Sequence, residues 1–488
     1  FIFLKEIRML NIIKKITFLV LLLSQTVLAQ TPCVNGFAGE YPCNNYDLMY
    51  HISNFTLGDS NTSGNDSWGW TDPDTQKEYA LMGINSGVVF INITNATLPV
   101  ILGTLKTNTV NSSWRDIKIY KDHAFIVSEA SGHGMQVFDL KKLRSVSSAP
   151  EAFTADKIFT EFGSAHNIVI NETSGYAYIV GPGEGNSPDG VTLFINIQDP
   201  INPKLEGIFS GGGDSHDAQV VTYDGPDSDY TGKEILIGSN GSEVLIADVT
   251  DKTNPTIIST ISYVNGGFAH QGWFTEDFTY FILGDEFDEG KYGNNTRSII
   301  FDFTDLNNPV HHFDYIGPTA AVDHNGYVKD NIYYQANYTA GVRIIDVSGA
   351  NNEVFSEIGF FDTYPADNNT EYNGAWNVYP FFPSGNIIIS DIDNGFFVIR
   401  KSGTLSLNPE IIKADFSVFP NPADTQITIT VSNNKTIKRI QVYSILGQKI
   451  IDKKNMNQSK YILETAILEK GIYLIKINST ITKKFIVE

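Results

Sequence analysis

A unit repeated seven times along the chain constrains the fold more than any other feature. Each copy opens on a short stretch around a Trp or a His, and successive copies start 46, 52, 50, 54, 54 and 52 residues apart. Two further apolar runs follow the opening, EYALMGI and GVVFINIT in the first copy. Short strands separated by Gly, Asn and Asp turns, about four per repeat, are typical of a β-propeller. The sequence therefore predicts an all-β fold with a seven-bladed β-propeller.

The start of the repeat region supplies the strand that the last copy lacks. The seventh copy ends at Arg400 after three apolar runs, whereas DLMYHISNFTL, at residues 47–57, precedes the first copy and has the pattern of a fourth strand. We predict that this segment closes the last blade, because pairing the two ends of the repeat region removes an exposed sheet edge. The propeller is thus expected to span residues 30–400.

The N-terminal region has the features of an exported chain. At residues 9–29 a Lys pair precedes an apolar run and Val-Leu-Ala, which predicts a cleavable signal peptide. Cys33 and Cys43 are the only cysteines, and we expect one disulfide between them, with a two-thiol metal site as the alternative. No other apolar stretch is long enough for a transmembrane segment. The net charge of -21 disfavours nucleic acid and anionic membranes as partners.

The third apolar runs carry a resemblance to a known family. GVVFINIT, GVRIIDVS and EVLIADVT resemble the LVIVD repeat of secreted bacterial propellers. The region from PCVNGFAGEYPCNNYDL onward, with AHNIVIN and AHQGWFTED, resembles the choice-of-anchor B family. This resemblance implies a propeller fold and an extracellular location, and it implies no particular reaction.

The last part of the chain differs in composition from the repeats. Residues 401–414 have the pattern of a linker, and residues 415–488 alternate apolar and polar residues between turns, as in a small β-sandwich. The motifs PNPA (Pro420–Ala423), YSILGQKI and GIY, with the basic ending, resemble the type A C-terminal sorting domain of the type IX secretion system. The resemblance implies interaction with that machinery, removal of the domain, and release or anchoring at the outer cell surface. An ordinary adhesive sandwich domain is the alternative.

The openings of the seven copies are expected to surround one mouth of the propeller channel, because the first strand of each blade lines it. These positions are Trp68, Trp114, His166, His216, His270, His324 and Trp376. The loops between second and third strands are predicted to reach the same face, with the acidic residues Glu129, Asp189, Glu243, Asp285, Glu286 and Asp391. Imidazole and carboxylate ligands suit zinc, manganese or iron, and calcium less well. We therefore predict a divalent-metal site from the four histidines with Glu129, Asp285, Glu286 or Asp391.

Two readings of the ring remain open. Trp cannot ligate a metal, but Trp and His both offer a planar ring with an N–H donor, so the ring positions serve either to bind a ligand or to plug the channel. Trp68, Trp114 and Trp376 either stack on a ligand or pack between blades.

The sequence favours a secreted binding or interaction module for an extracellular ligand or protein. A metal-dependent hydrolase or lyase is the alternative, with the histidine ring holding the metal and a nearby acid as general base. The sequence assigns no catalytic residue, because it carries no G-x-S-x-G or H-E-x-x-H motif.

Overall fold

The computed structural model divides the chain into two compact units, Phe1–Thr404 and Leu405–Glu488. The predicted signal peptide, Asp189 and most of the predicted linker lie outside the described residues. The described residues are 30–183, 190–403, 416–431, 436–444, 449–454, 456–466, 468–478 and 481–487.

Small sheets of mainly antiparallel strands build the first unit. The strand given first for each sheet below is called its first strand, and the labels A to G follow the chain order of these first strands. Sheet A contains Gly64–Thr71, Glu78–Ile84, Gly87–Asn92 and Val100–Lys106, with Glu151–Phe153 added in parallel. Sheet B contains Arg115–Tyr120, His123–Ser128, Met135–Asp139 and Lys157–Phe159; sheet C contains Asn167–Asn171, Tyr176–Val180, Thr192–Asn196 and Lys204–Phe209. Sheet D contains Asp217–Thr222, Glu234–Ser239, Val244–Asp248 and Thr256–Ile261; sheet E contains Ala269–Phe274, Tyr280–Asp285, Arg297–Asp302 and Val310–Ile316. Sheet F contains Gly326–Lys329, Ile332–Ala336, Val342–Gly349, Val354–Phe361, Tyr41–Asn44 and Phe37–Ala38; sheet G contains Ala375–Tyr379, Asn386–Asp391, Gly395–Lys401 and Tyr46–Ile52.

These sheets form a closed circuit. The first strand of each sheet contacts the first strand of the next, and the first strand of sheet G returns to that of sheet A. The buried apolar clusters follow the same circuit, because each cluster joins two neighbouring sheets. Phe90 of sheet A stacks on Phe138 of sheet B at 4.6 Å, for example, and Met82 of sheet A shares a cluster with Phe396 of sheet G. The arrangement is β-propeller-like, and the predicted all-β fold is confirmed.

The second strands of the sheets show why each repeat contains a nearly continuous apolar run. Every residue of Glu78–Ile84, Glu234–Ser239 and Asn386–Asp391 is buried. A strand that is covered on both faces carries a nearly continuous apolar run instead of an alternating pattern. The outer strand Thr256–Ile261, by contrast, is exposed or half-buried along its length.

The segment before the first repeat lies at the outer edge of sheet G. Tyr46–Ile52 pairs antiparallel with Gly395–Lys401. The predicted strand 47–57 is too long, because Asn54–Leu57 forms a short helical turn. The Asn54 side chain donates a hydrogen bond to Ile392 O at 2.7 Å, which turns the backbone away from the sheet.

The predicted disulfide between Cys33 and Cys43 is confirmed. Cys43 lies in the strand Tyr41–Asn44, which pairs with Val354–Phe361 and extends sheet F. The bond therefore ties the segment around Cys33 to an outer strand of sheet F.

Helical segments in the first unit are few and short. Among the residues that the structure describes in this unit, the α-helical segments are Asn54–Leu57 and Asp288–Tyr292, and the 3-10 segments are Leu140–Ser145, Ser228–Tyr230 and Ala350–Asn352. Among the described residues, no helix is long and apolar enough to cross a lipid bilayer.

The second unit is a separate all-β body with its own core. One sheet contains Phe416–Phe419, Gln426–Val431 and Lys460–Glu464; the other contains Lys449–Lys453, Ile440–Ser444, Gly471–Ile477 and Ile481–Val487. Side chains from both sheets, including Ile427, Leu463, Val442 and Ile475, share one buried cluster. The alternating pattern of this region thus corresponds to strands with one apolar face.

Candidate functional site

Polar side chains connect the first strands of neighbouring sheets. Asp66 Oδ2 accepts a hydrogen bond from Ile117 N at 3.0 Å, and Asp116 Oδ2 accepts one from Ile168 N at 2.7 Å. The same position, in the first strand or directly before it, is polar in every sheet, and we call this set the polar layer: Asp66, Asp116, Asn167, Asp217, Gln271, Asn325 and Asn377. The residue directly before each of them is the position that faces the channel mouth. The polar layer therefore shows which residue of each copy belongs to the site.

The residues that directly precede the polar layer form what we call the ring. They are Asn65, Arg115, His166, His216, His270, His324 and Trp376, at intervals of 50, 51, 50, 54, 54 and 52 residues. The predicted ring is therefore corrected in two copies, because Asn65 replaces Trp68 and Arg115 replaces Trp114. A register shift between Gly64 and Ser67 interrupts the first strand of sheet A, so the indole pattern in the sequence does not follow the ring there.

The two displaced tryptophans have different surroundings. Trp114 is exposed, and it lines a cavity of about 380 Å³ that the four ring histidines also line. Trp68 lies further along its strand in a second cavity of about 430 Å³, which Trp273, Tyr379 and Phe381 also line. Lys118 Nζ is 4.6 Å from the centroid of the Trp68 ring. Trp68 is thus not part of the ring.

The four histidines form a continuous arc. The ring centroids of His166 and His216 are 4.0 Å apart, those of His216 and His270 are 4.5 Å apart, and those of His270 and His324 are 4.4 Å apart. Trp376 continues the arc, with its centroid 4.6 Å from that of His324. The sequence-based expectation that these imidazoles gather at one place agrees with this geometry.

Hydrogen bonds determine which nitrogen of the imidazoles is free to bind a ligand. His324 Nδ1 lies 2.6 Å from Trp376 O, and His216 Nδ1 lies 3.4 Å from His270 O. A carbonyl oxygen only accepts, so Nδ1 carries the proton in both residues and Nε2 keeps its lone pair. His270 Nδ1 is buried and has no partner among the described residues.

Burial keeps His216, His270 and His324 neutral. Only 2% of His270 and 4% of His324 is exposed. Burial, with the neighbouring imidazoles, lowers the pKa of each to about 3. The same causes lower the pKa of His216 well below its ordinary value. Neutral imidazole is the form that binds metal ions, so these side chains are ready ligands at neutral pH.

Glu286 supplies a carboxylate at the centre of this arc. Its oxygens lie 3.8 Å from His270 Nε2 and 3.9 Å from His324 Nε2. One ligand atom from each of the three residues can be chosen so that all lie within 4.8 Å of one another. Tyr338 donates a hydrogen bond to Glu286 Oε1 at 2.7 Å, which orients the carboxylate. Two imidazoles and one carboxylate form a ligand set typical of catalytic zinc sites.

The other predicted acids have different positions. Glu129 Oε1 lies 2.6 Å from His166 Nδ1, so it orients that imidazole at the rim. Asp285 accepts backbone hydrogen bonds from Gly267 N at 2.7 Å, in the loop before the first strand of sheet E, and from Asp288 N at 3.1 Å in its own loop, and therefore does not serve the ring. Asp391 likewise accepts backbone hydrogen bonds from Asn394, and burial raises its pKa to about 7. Both are corrections, because the buried N–H groups of tight loops occupy these carboxylates.

A cavity of about 380 Å³ opens above the ring. The four ring histidines and Glu286 line its floor, and its walls are largely aromatic. The aromatic lining residues are Trp114, Phe287, Tyr338, Tyr372 and Trp376. The arrangement suits a small ligand with one apolar surface and one group that reaches the ring.

Sequence reasoning missed Arg115 and Tyr338. Arg115 directly precedes Asp116 of the polar layer, and Tyr338 lies in the loop after the second strand of sheet F, where other sheets carry Glu129 and Glu286. Aligning the copies on the polar layer would have found Arg115. Searching the same loops for hydroxyl groups as well as acids would have found Tyr338.

Comparisons with known proteins identify the second unit. Residues 417–488 match the family of secretion system C-terminal sorting domains. This tail indicates that the chain is exported by the type IX secretion system to the cell surface. The predicted localisation is confirmed, and so is the interaction with the secretion machinery. No protein of curated function matches the sequence.

Several solved structures resemble parts of the chain at low identity. PorZ, a surface component of the type IX secretion system of Porphyromonas gingivalis, is 14% identical, with a TM-score of 0.41 over 84% of this chain, which spans 58% of PorZ. The Cps50 (Swd1) β-propeller domain of Myceliophteria thermophila is 9% identical, with a TM-score of 0.45 over 70% of this chain and 99% of that domain. A protein from Lactobacillus plantarum is 12% identical, with a TM-score of 0.43 over 83% of this chain and 98% of its own. The propeller-like arrangement follows from the strand pairing and the sheet contacts of the described chain.

Proposed function

We propose that the first unit is a seven-bladed β-propeller that works at the cell surface as a binding module, with a divalent metal ion held at the ring. In this proposal the propeller spans residues 30–400, and a linker at 401–414 leads to a type A sorting domain with a β-sandwich fold at 415–488. The LVIVD-like third strands support membership of the choice-of-anchor B family. The closed circuit of sheets supports the propeller, because each sheet covers a face that its neighbour exposes.

The cluster of His270, Glu286 and His324 carries the functional proposal. In tetrahedral zinc sites, ligand atoms about 2.0–2.2 Å from the ion lie about 3.3–3.5 Å apart. Glu286 Oε2 lies 3.8 Å from His270 Nε2, and Glu286 Oε1 lies 3.9 Å from His324 Nε2, so each imidazole is within about 0.6 Å of that spacing from one carboxylate oxygen. One ligand atom from each of the three residues lies within 4.8 Å of the other two. Zinc best suits two imidazoles and a carboxylate, with manganese and iron as the other candidates.

The open side of the cluster supports ligand binding at the metal. The cavity of about 380 Å³ lies directly above these ligands. Three protein ligands leave a coordination position for water or for an oxygen of a bound molecule. The aromatic walls then contact the apolar part of that molecule.

Metal titration of the purified protein tests this proposal. Protein stripped with a chelator should bind one zinc ion per chain by calorimetry. His270→Gln, His324→Gln and Glu286→Gln should each weaken binding at least tenfold. His123→Gln is the matched control, because His123 bonds to Lys121 O outside the ring. Equal zinc binding by the wild type and the three variants would refute the metal site.

A hydrolase or lyase is the second candidate, and His166 favours it. His166 Nδ1 is paired with Glu129 Oε1 at 2.6 Å, so a carboxylate orients this imidazole beside the proposed metal site. An imidazole held in this way is suited to act as a general base on a metal-bound water. His166→Gln should then abolish turnover of ester or phosphate substrates while zinc binding persists. Absence of turnover by the zinc-loaded wild type would leave the binding module.

A further inference from the structure

Arg115 is a buried cation without an acidic partner. Only 2% of the residue is exposed, and no carboxylate among the described residues pairs with its guanidinium. Nε donates to Ile84 O at 3.4 Å, and one terminal nitrogen lies 3.1 Å from His133 Nε2. The other terminal nitrogen, Nη2, is buried and has no hydrogen-bond partner within the described part of the chain. A charge left in this state is strongly destabilising unless a ligand compensates it.

A ligand that compensates this charge has to enter the space beside Arg115. Arg115 lines a small space of about 10 Å³ at the centre of the ring together with His166, His270 and His324. This space has about the size of a single water or ligand oxygen. Several of its lining residues, including Trp114 and Trp376, also line the larger cavity above, so an oxygen atom there can belong to a molecule in that cavity.

The order of the ring places Arg115 across from the proposed metal ligands. Around the closed circuit, three steps separate Arg115 from His270 in one direction, and three steps separate it from His324 in the other. A ligand between them therefore has a metal-binding side and a guanidinium-binding side. Planar guanidinium pairs with carboxylate and phosphate oxygens through two parallel N–H donors.

We propose that Arg115 is the anion-binding residue of this site and that its ligand carries a carboxylate or phosphate group at the centre of the ring. The ligand class rests on the proposed metal-binding function only in part. Binding of the anion to the guanidinium needs no metal. Binding of a second oxygen of the same anion to the metal rests on the proposed function. The neutral His133 beside Arg115 holds the guanidinium in place without neutralising it, because burial and the Arg115 charge lower its pKa to about 4.

Binding of inorganic phosphate and of succinate distinguishes the two anion classes. Calorimetry on the zinc-loaded protein should detect one of these anions, whereas succinamide, the uncharged counterpart of succinate, should show no binding. Arg115→Met should weaken anion binding at least tenfold. Arg144→Met is the matched control, because Arg144 forms its ion pair with Asp72 away from the ring and should leave anion binding unchanged.

Thermal stability separates anion binding from a structural role. Without added anion, Arg115→Met should melt at the same or a higher temperature than the wild type, because it removes an unpaired buried charge. Added phosphate or succinate should raise the melting temperature of the wild type only. Arg115→Lys provides a second test with the charge retained, and it should bind the anion more weakly because it lacks the planar fork.

Zinc binding and anion binding are measured separately, which keeps this inference distinct from the metal proposal. If zinc binding fails in the wild type but the anion still raises its melting temperature through Arg115, the metal proposal is wrong and the anion site stands. If Arg115→Met binds phosphate and succinate as the wild type does, or if neither anion binds the wild type, the anion site is refuted.

Discussion

The neutral state of the buried ring histidines predicts a specific acid sensitivity. In the unfolded chain each histidine has a pKa of about 6.5, whereas burial and neighbouring imidazoles lower the pKa of His270 and His324 to about 3. Between these values the unfolded state binds more protons than the native state. The free energy of unfolding therefore rises with pH across this window, and its contribution is lost as the pH falls from 6.5 towards 3.

The size of the effect follows from the two pKa values. Each pH unit below 6.5 lowers the free energy of unfolding by about 1.4 kcal/mol for each histidine that stays neutral in the native state. At pH 5 the loss is about 2 kcal/mol per histidine, and about 4 kcal/mol for the pair. The variant His270→Gln/His324→Gln has no imidazole at these positions. Between pH 7 and pH 5 it should lose about 4 kcal/mol less stability than the wild type.

Urea unfolding in the presence of a chelator at pH 7 and pH 5 measures this difference. The other titrating groups are common to both proteins, so their contribution cancels when the two losses are subtracted. His311→Gln provides the control, because His311 is an exposed histidine paired with Asp314 outside the ring. Its loss should follow that of the wild type within about 0.5 kcal/mol. Equal losses for the wild type and the double variant would refute the claim that these imidazoles are neutral in the folded protein.

Other contacts give further predictions. Replacing Cys33 and Cys43 by Ser removes a bond across a separation of 10 residues, and we expect it to lower the free energy of unfolding by about 2–3 kcal/mol in denaturant titrations. Glu78→Ala should lower it by about 3 kcal/mol, because the carboxylate accepts hydrogen bonds from Ser384 and Asn386 and so joins sheets A and G; Glu78→Gln should lose less. Deletion of the sorting domain should abolish surface display, measured by protease accessibility on intact cells, without preventing the first unit from folding. Surface display of the truncated chain would contradict the role of the tail.

The sequence predicts the architecture well because each repeat records burial directly. Strands covered on both faces, such as Glu78–Ile84 and Asn386–Asp391, appear as apolar runs, and the turns between them carry Gly, Asn or Asp. The closing strand is harder to bound. Its apolar pattern continues to Leu57, but the Asn54 side chain bonds to Ile392 O and ends the strand at Ile52. A contact over 338 residues of separation leaves no local pattern in the sequence.

The candidate site is predictable only where a residue type marks its own position. Histidine is rare in the chain, so aligning the repeats on it brings out the four residues that form the arc in the structure. Asp285 and Asp391 show the opposite case, since an acid at the end of a second strand resembles a metal ligand in the sequence. In the structure their carboxylates accept backbone N–H groups of the loops, a role that depends on local backbone geometry. Glu286, one residue after Asp285, is the acid that reaches the histidines.

The corrected ring also changes the balance between a plugged channel and a binding site. The plug interpretation depended on Trp and His exchanging at one position, with Trp68, Trp114 and Trp376 as the examples. Because Asn65 and Arg115 occupy two of those positions, Trp376 is the single indole in the ring, and the other members are polar. Packing alone does not require a buried guanidinium whose Nη2 has no hydrogen-bond partner among the described residues. It also does not require imidazoles whose Nε2 lone pairs lie near a carboxylate. Both features are useful to a site that receives a metal ion and an anion, so the polar composition of the ring favours binding over packing.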